Sequence, residues 1–144
     1  MHRFNPTAIL LALVSPLCWG QDSLLNVPAP DVDAEMASFT VADGFEVNLF
    51  AADPMIAKPI NITWDELGRL WIVGSSVYPH IAPGQYASDT ITVLEDTDRD
   101  GVADRSTIFA DNLFIPTGIA IGDGGVYVAN STEVLFMQDT DGDL

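Results

Sequence analysis

Cysteine is almost absent from this chain. Its 144 residues include a single cysteine, Cys18, which lies near the N-terminus. A disulfide framework or a thiolate metal site needs several cysteines, so the composition excludes both for this sequence. The CxxCH motif that attaches haem c does not occur in it either.

Basic residues are also scarce. The chain has 5 Lys and Arg residues against 21 Asp and Glu residues, which gives a formal net charge of −16 at pH 7. A surface of this charge repels nucleic acid and anionic membranes, and it suits divalent cations or neutral ligands. The P-loop, GxGxxG, GxSxG and HExxH motifs are missing as well, which argues against nucleotide-dependent enzymes and the familiar hydrolases.

The first 20 residues predict a secretory signal peptide. A short positive start is followed by an apolar stretch over residues 8–19, and the small residue Gly20 marks the expected cleavage site. We therefore expect export to the periplasm or the extracellular space. The apolar stretch is too short for a membrane-spanning helix, and no later stretch could span a membrane. Lipidation of Cys18 is disfavoured because the preceding Leu17 is too large.

Residues 90–111 are the most informative stretch, because two β-rich runs flank an acidic loop with alternating carboxylates. An EF-type calcium loop presents oxygens with this spacing and also places a glycine where Gly101 stands. The match is partial, since Thr107 occupies the place of the bidentate glutamate and the flanks have strand character. We predict a structural calcium loop in a β-hairpin; an acidic turn without an ion is the alternative. The predicted ligands are Asp96, Asp98, Asp100, Asp104 and the carbonyl of Val102.

The same signal returns near the end of the sequence. Residues 133–143 repeat the pattern of residues 90–100, and Asp139 follows Asp96 by 43 positions. The repeat predicts a second, incomplete metal loop with Asp139, Asp141 and Asp143. The sequence ends at Leu144, where the first copy has Gly101, so we expect it to be a fragment of a longer protein.

Period-two alternation and turn residues predict an all-β fold. The expected hairpins lie at residues 39–49, 60–73 and 118–128, a long loop covers residues 74–89, and no useful helical periodicity follows the signal peptide. Units of four antiparallel strands and this length are typical of propeller blades. We therefore predict about the first two blades of a β-propeller, six-bladed when complete. The predicted divisions are a flexible lead-in at 21–38 and a partial propeller at 39–144, with a first blade at about 39–111 and a truncated second blade at about 112–144.

Four motifs carry a resemblance to a known family. They occupy residues 44–54, 64–71, 94–101 and 116–128, and together with their surroundings they cover about residues 39–144. The chain resembles the secreted membrane-bound dehydrogenase family, whose propeller is similar to that of quinoprotein glucose/sorbosone dehydrogenases. The resemblance implies the N-terminal part of an exported, quinoprotein-like sugar or alcohol dehydrogenase.

That resemblance also implies partners and a catalytic residue. It implies a small neutral sugar or alcohol as substrate, pyrroloquinoline quinone as cofactor, and an electron acceptor such as cytochrome c, with haem c where a downstream domain exists. His80 is the one histidine after the signal peptide, and a neutral imidazole can act as a base near pH 7. An ordinary loop histidine is the alternative. The alternative function is a non-catalytic, calcium-stabilised propeller that binds carbohydrate or protein.

Overall fold

The computed structural model of the protein describes residue 29, residues 31–142 and residue 144. The predicted signal peptide at 1–20 and most of the predicted lead-in before residue 31 lie outside these residues, as does Asp143. Residues 32–144 form one compact unit.

Antiparallel β-strands make up most of this unit, so the predicted all-β class is confirmed at that level. The elements are α1 (Val32–Ser38), β1 (Pro59–Trp64), β2 (Leu70–Gly74), β3 (Asp89–Glu95), β4 (Arg105–Leu113), β5 (Gly118–Gly122), β6 (Gly125–Asn130) and β7 (Glu133–Met137). No helix in the part of the chain that the structure describes is long and apolar enough to cross a membrane.

The strands form two sheets. The first sheet has the order β1-β2-β3-β4 and the second has the order β5-β6-β7, with every neighbouring pair antiparallel. The predicted hairpins at 60–73 and 118–128 are therefore confirmed, as is the long loop between β2 and β3. The four consecutive residues Leu70–Val73 of β2 are buried, which means that both faces of this strand are covered.

The predicted strand pair at residues 39–49 is wrong. The turn at Asp43–Gly44 is present, but the residues on either side of it are not in strands, and Phe45 is 77% exposed. The chain then turns onto the first sheet, where the carbonyl of Phe50 accepts a hydrogen bond from the backbone N–H of Ala103 (2.8 Å). Alternation shows where a strand could form, but a strand also needs a partner edge.

A short helix, α1, replaces part of the predicted flexible lead-in. Its first turn contains Asp33 and Glu35, whose charges favour a helix N-terminus, and the hydroxyl of Ser38 donates to the carbonyl of Glu35 (2.7 Å) near its end. No residue of α1 is buried. A helix without a buried face leaves no apolar periodicity in the sequence, which explains why it was not predicted.

The main core lies between the two sheets. Its buried residues are Trp71, Val73, Ile91, Val93 and Leu113 from the first sheet and Val126 and Val128 from the second. The opposite face of the first sheet buries Leu70, Ile72, Leu94 and Ala103 under residues 50–56. Each fully buried aliphatic side chain contributes roughly 1.5–3 kcal/mol relative to exposure, so these two layers dominate the stability of the unit.

Antiparallel connectivity divides the connections of the first sheet between two ends. The β1–β2 turn (65–69) and the β3–β4 loop (96–104) lie at one end, named here the carboxylate end. The β2–β3 loop (75–88) and the β4–β5 connection (114–117) lie at the other, named here the loop end. The predicted metal loop and the predicted catalytic His80 therefore occupy opposite ends of the sheet.

Candidate metal centre

The β3–β4 loop curls tightly because two of its residues adopt positive φ angles. Arg99 has φ 64° and Gly101 has φ 92°, a region that glycine enters at little cost. Two short-range bonds support the curl: Asp98 Oδ1 accepts from the N–H of Asp100 (3.3 Å), and Asp100 Oδ1 accepts from the N–H of Val102 (2.8 Å). Aspartate side chains make such turns readily, so the Asp-x-Asp-x-Asp spacing forms the loop locally.

Three carboxylates converge in this loop. One oxygen each from Asp96, Asp98 and Asp104 lies within 4.8 Å of the others; Asp96 is half-buried and the other two are exposed. Like charges at this separation repel one another, and a cation among them would relieve the repulsion. Hard oxygen donors of this kind suit Ca²⁺ or Mg²⁺ rather than a softer transition metal.

Asp96 is held in its ionised form. Partial desolvation opposes ionisation, but hydrogen bonds from the backbone N–H groups of Gly101, Arg99 and Asp100 outweigh it and lower the pKa of Asp96 below its ordinary value of 3.8. The bonds from Gly101 and Asp100 measure 2.9 and 3.1 Å. The N–H groups thus orient the Asp96 carboxylate toward the inside of the loop curl.

Asp104 closes the loop from its other side. Its carboxylate accepts from the hydroxyl of Thr97 (2.6 Å), and its own N–H donates to the carbonyl of Glu95 (2.9 Å). The neighbouring N–H of Ala103 donates to the carbonyl of Phe50, which ties the loop to the segment that crosses the first sheet. Through these contacts the loop is braced by the sheet itself.

The structure brings together three of the four predicted carboxylate ligands, Asp96, Asp98 and Asp104. Asp100 lies outside the converging group, and its Oδ1 accepts a hydrogen bond from the backbone N–H of Val102. Thr107, at the place of the EF-hand glutamate, lies in β4 opposite Val93. The strand pairing removes this residue from the loop, so Thr107 does not take the role of the EF-hand glutamate.

The predicted second metal loop has a different geometry in the residues that the structure describes. Asp139 Oδ1 accepts from the N–H of Gly142 (2.7 Å), and this bond above all holds the pKa of Asp139 below its ordinary value. Among the described residues, Asp139 and Asp141 are not part of a converging carboxylate group like that of Asp96, Asp98 and Asp104. Asp143 lies outside the described residues.

His80 lies in the β2–β3 loop at the loop end and is exposed. Close to this loop the structure shows a carboxylate that the sequence analysis missed. Asp89, which is 2% exposed, accepts hydrogen bonds from the hydroxyl of Ser75 (2.7 Å), the N–H of Ser76 (2.8 Å) and the N–H of Ile115 (3.0 Å). A single aspartate at the start of a strand carries no distinctive signal, because its donors come from two separate segments of the chain.

At the carboxylate end, Asp65 organises the β1–β2 turn. Its Oδ2 accepts from Nε of Arg69 (2.6 Å) and Nε1 of Trp71 (3.0 Å), while Oδ1 accepts from the N–H groups of Leu67 and Arg69 (both 2.9 Å). Every acceptor of this carboxylate is engaged within its own hairpin. Asp65 is therefore a turn residue of the hairpin predicted at residues 60–73.

Comparison with known proteins finds a family that matches most of the chain. Residues 31–144 match the family described as "Domain of unknown function (DUF7133)". No curated protein matches the chain, and no solved structure matches it. These comparisons name no activity for the family.

Proposed function

The chain belongs to the DUF7133 family, and we propose that it binds calcium at Asp96, Asp98 and Asp104 as a structural ion. The observation that carries this proposal is the convergence of three carboxylate oxygens within 4.8 Å in a loop braced by backbone hydrogen bonds. Ca²⁺ accepts irregular oxygen geometry and completes its shell with water, whereas Mg²⁺ demands near-ideal octahedral sites. An open, mostly exposed loop suits calcium better.

The proposed ion is structural because of where the loop lies. It joins β3 to β4 at the carboxylate end, and Ala103 links it to the chain segment covering the first sheet. Binding would stiffen this hairpin and its packing. With three carboxylates and an exposed rim we expect the weak affinity of extracellular modules, about 10⁻⁴–10⁻³ M.

Isothermal titration calorimetry of the chelator-treated chain with CaCl₂ tests the site. Asp98→Asn should abolish the binding heat, and Asp100→Asn should weaken binding less, because the Asp100 carboxylate does not join the group. Asp43→Asn is the matched control, since it removes the same charge from an exposed turn elsewhere. Equal heats from the Asp98 and Asp43 variants would contradict the proposal.

We further propose that the two sheets are blades of a β-propeller, as the resemblance to quinoprotein dehydrogenases implies. Two features support it: the sheets share one core through their faces, and the first strands of both sheets, β1 and β5, lie in contact. Adjacent blades around an axis have these relations. Small-angle scattering of the full protein should then give a disc-shaped envelope, whereas an elongated particle would contradict the ring.

The wider activity we propose is an exported dehydrogenase for a neutral sugar or alcohol, with His80 in the role of base. The described residues do not assemble a cradle for the carboxylates of pyrroloquinoline quinone. Such a cradle needs cationic side chains. Lys58 lies near the β2–β3 loop, but its Nζ donates to the carbonyl of Ser76 (3.0 Å). We therefore assign the quinone no ligands and derive no step through it.

Dye reduction by the full-length protein with neutral sugars and alcohols tests this activity, together with the absorbance of a bound quinone. A His80→Gln variant should lose turnover while its thermal unfolding stays unchanged, because His80 is exposed. If the wild-type protein shows no dye reduction and no quinone absorbance, the result would favour the non-catalytic binding propeller instead.

A further inference from the structure

A groove opens at the loop end, between the β2–β3 loop and the last residues of β4. Its volume is about 440 Å³, within the size range of small-ligand sites. We name it the aromatic groove. Its lining includes Ile81, Gln85, Tyr86, Asn112, Leu113 and Phe114.

The chemistry of this groove differs from that of the chain as a whole. Its lining contains no charged side chain among the described residues, although the net charge of the chain is −16. Two aromatic rings reach solvent there: Tyr86 is 92% exposed and Phe114 is 38% exposed. One ring comes from each of the two segments that line the groove, and covering exposed rings in an uncharged groove is favourable in water, so the lining favours a neutral partner.

The polar groups of the groove are held in place. Gln85 Oε1 accepts from the N–H of Ala82 (3.0 Å), and the N–H of Gln85 donates to the carbonyl of Ala82 (3.0 Å). The side chain of Gln85 is thus fixed by its own turn, and its amide NH₂ is the group left for a ligand. A donor fixed in this way costs little entropy when it binds.

Asn112 is set by an irregularity in β4. Asp89 pairs with Leu113 but Ile91 pairs with Ala110, so β4 contains one extra residue at this point. Asn112 lies in this bulge with φ 55°, and its Nδ2 donates to Asp111 Oδ1 (2.7 Å), which leaves Oδ1 as an acceptor. Bulges re-aim side chains and are enriched beside binding sites.

The floor next to the bulge is anchored as well. The N–H of Phe114 donates to Asn130 Oδ1 (2.9 Å), and the N–H of Ile115 donates to the buried Asp89. Ile115 has φ 45°, a region that β-branched residues rarely enter. Backbone in this region persists where the surroundings over-determine it, and such positions cluster at functional sites.

We propose that the aromatic groove binds a neutral saccharide. The C–H face of a sugar ring packs on Tyr86 and Phe114, while its hydroxyls accept from Gln85 and donate to Asn112 Oδ1. Aromatic platforms flanked by a few fixed polar groups are the general composition of small-ligand sites. The inference extends the proposed function by naming where a neutral sugar rests, and it needs neither calcium nor oxidation.

Calorimetric titration of the full chain with maltohexaose and cellohexaose tests the groove. Tyr86→Ala should weaken binding about tenfold. Tyr86→Phe should keep the wild-type affinity, because the ring rather than the hydroxyl makes the contact. Asn112→Gly keeps the positive φ while removing the amide, and it should weaken binding about fivefold. Tyr78→Ala removes an exposed ring from the same loop outside the groove and should change affinity less than twofold.

The outcomes separate this inference from the functional proposals. If the Asp98→Asn variant binds a saccharide and the wild-type protein fails the dye assay, the saccharide site would be supported independently of calcium binding and of turnover. Binding of neither oligosaccharide, or equal losses in the Tyr86 and Tyr78 variants, would overturn the inference. Binding of a proline-rich peptide in place of both oligosaccharides would overturn it too, since aromatic grooves also accept such peptides. Thermal unfolding of each variant confirms that it is folded.

Discussion

The carboxylate of Asp89 and the backbone N–H of Ile115 lie 26 positions apart in the sequence and are joined by a buried hydrogen bond of 3.0 Å. Asp89 begins β3, and Ile115 lies in the connection that leads from the first sheet to the second. The same carboxylate also receives the hydroxyl of Ser75 and the N–H of Ser76 from the start of the β2–β3 loop. One side chain therefore fixes both connections at the loop end.

Removing the Asp89 carboxylate should destabilise the unit markedly. Asp89→Ala leaves the donor groups of Ser75, Ser76 and Ile115 without an acceptor in a site that is 2% exposed, and we expect a loss of about 2–4 kcal/mol in the free energy of unfolding. Urea denaturation monitored by tryptophan fluorescence measures it. Asp43→Ala, at an exposed turn, should cost less than about 0.5 kcal/mol. Equal losses in the two variants would show that the Asp89 network is energetically unimportant.

Ile91 and Ile108 allow a matched test of the core. Ile91 is fully buried between the sheets, whereas Ile108 on β4 is 63% exposed. We expect Ile91→Ala to lower the free energy of unfolding by about 2–5 kcal/mol, because it removes buried methyl groups and leaves a cavity. Ile108→Ala should cost less than about 1 kcal/mol. A reversed order in chemical denaturation would contradict the assignment of the core.

Gly125 should not tolerate a side chain. A Cβ at this position would overlap the carbonyl oxygen of Met137 and lie 2.9 Å from Cζ of Phe136. Gly125→Ala should therefore destabilise the second sheet by about 1–3 kcal/mol. Gly122, in the same hairpin, offers the control, since its nearest contact would be an ordinary 3.8 Å to Tyr127. Similar melting temperatures for the two alanine variants would refute the close approach of β6 and β7.

Acid should weaken the β1–β2 turn through Asp65. Desolvation raises the pKa of this carboxyl, but hydrogen bonds from Trp71 and Arg69 and the charge of Arg69 outweigh it, so the net pKa is below 3.8. A lowered pKa means that the folded state favours ionised Asp65. Its contribution is therefore complete well above the ordinary value of 3.8 and is lost as the pH falls through that value toward the folded-state pKa.

Denaturation of wild type and Asp65→Asn at neutral pH and at pH values around and below the ordinary value checks this linkage. The asparagine variant should be less stable than wild type at neutral pH, and the difference should shrink as the medium becomes acidic. A difference that is independent of pH would mean that the Asp65 charge makes no contribution to the turn.

Local patterns predicted the strands well. The hairpins at 60–73 and 118–128 were found because alternating apolar residues and tight turns act over a few residues, and the turn glycines lie where φ is positive, as at Gly68 (φ 80°) and Gly124 (φ 76°). The Asp-rich loop was found for the same reason, since its turns are made by its own side chains. The strand pair at 39–49 was wrong because pairing depends on a partner elsewhere.

The sequence by itself determined the hairpins at 60–73 and 118–128, their turns and the acidic loop between β3 and β4, because each depends on interactions within a few residues. The tertiary structure alone decided that Asp96, Asp98 and Asp104 converge while Asp100 turns away, that Asp89 is buried at the meeting of two connections, and that an uncharged groove forms beside Tyr86 and Asn112. The Asp89 contacts and the groove join segments distant in the chain, while the pairing of β3 with β4 sets the two ends of the acidic loop. Strand register and core packing determine which segments meet.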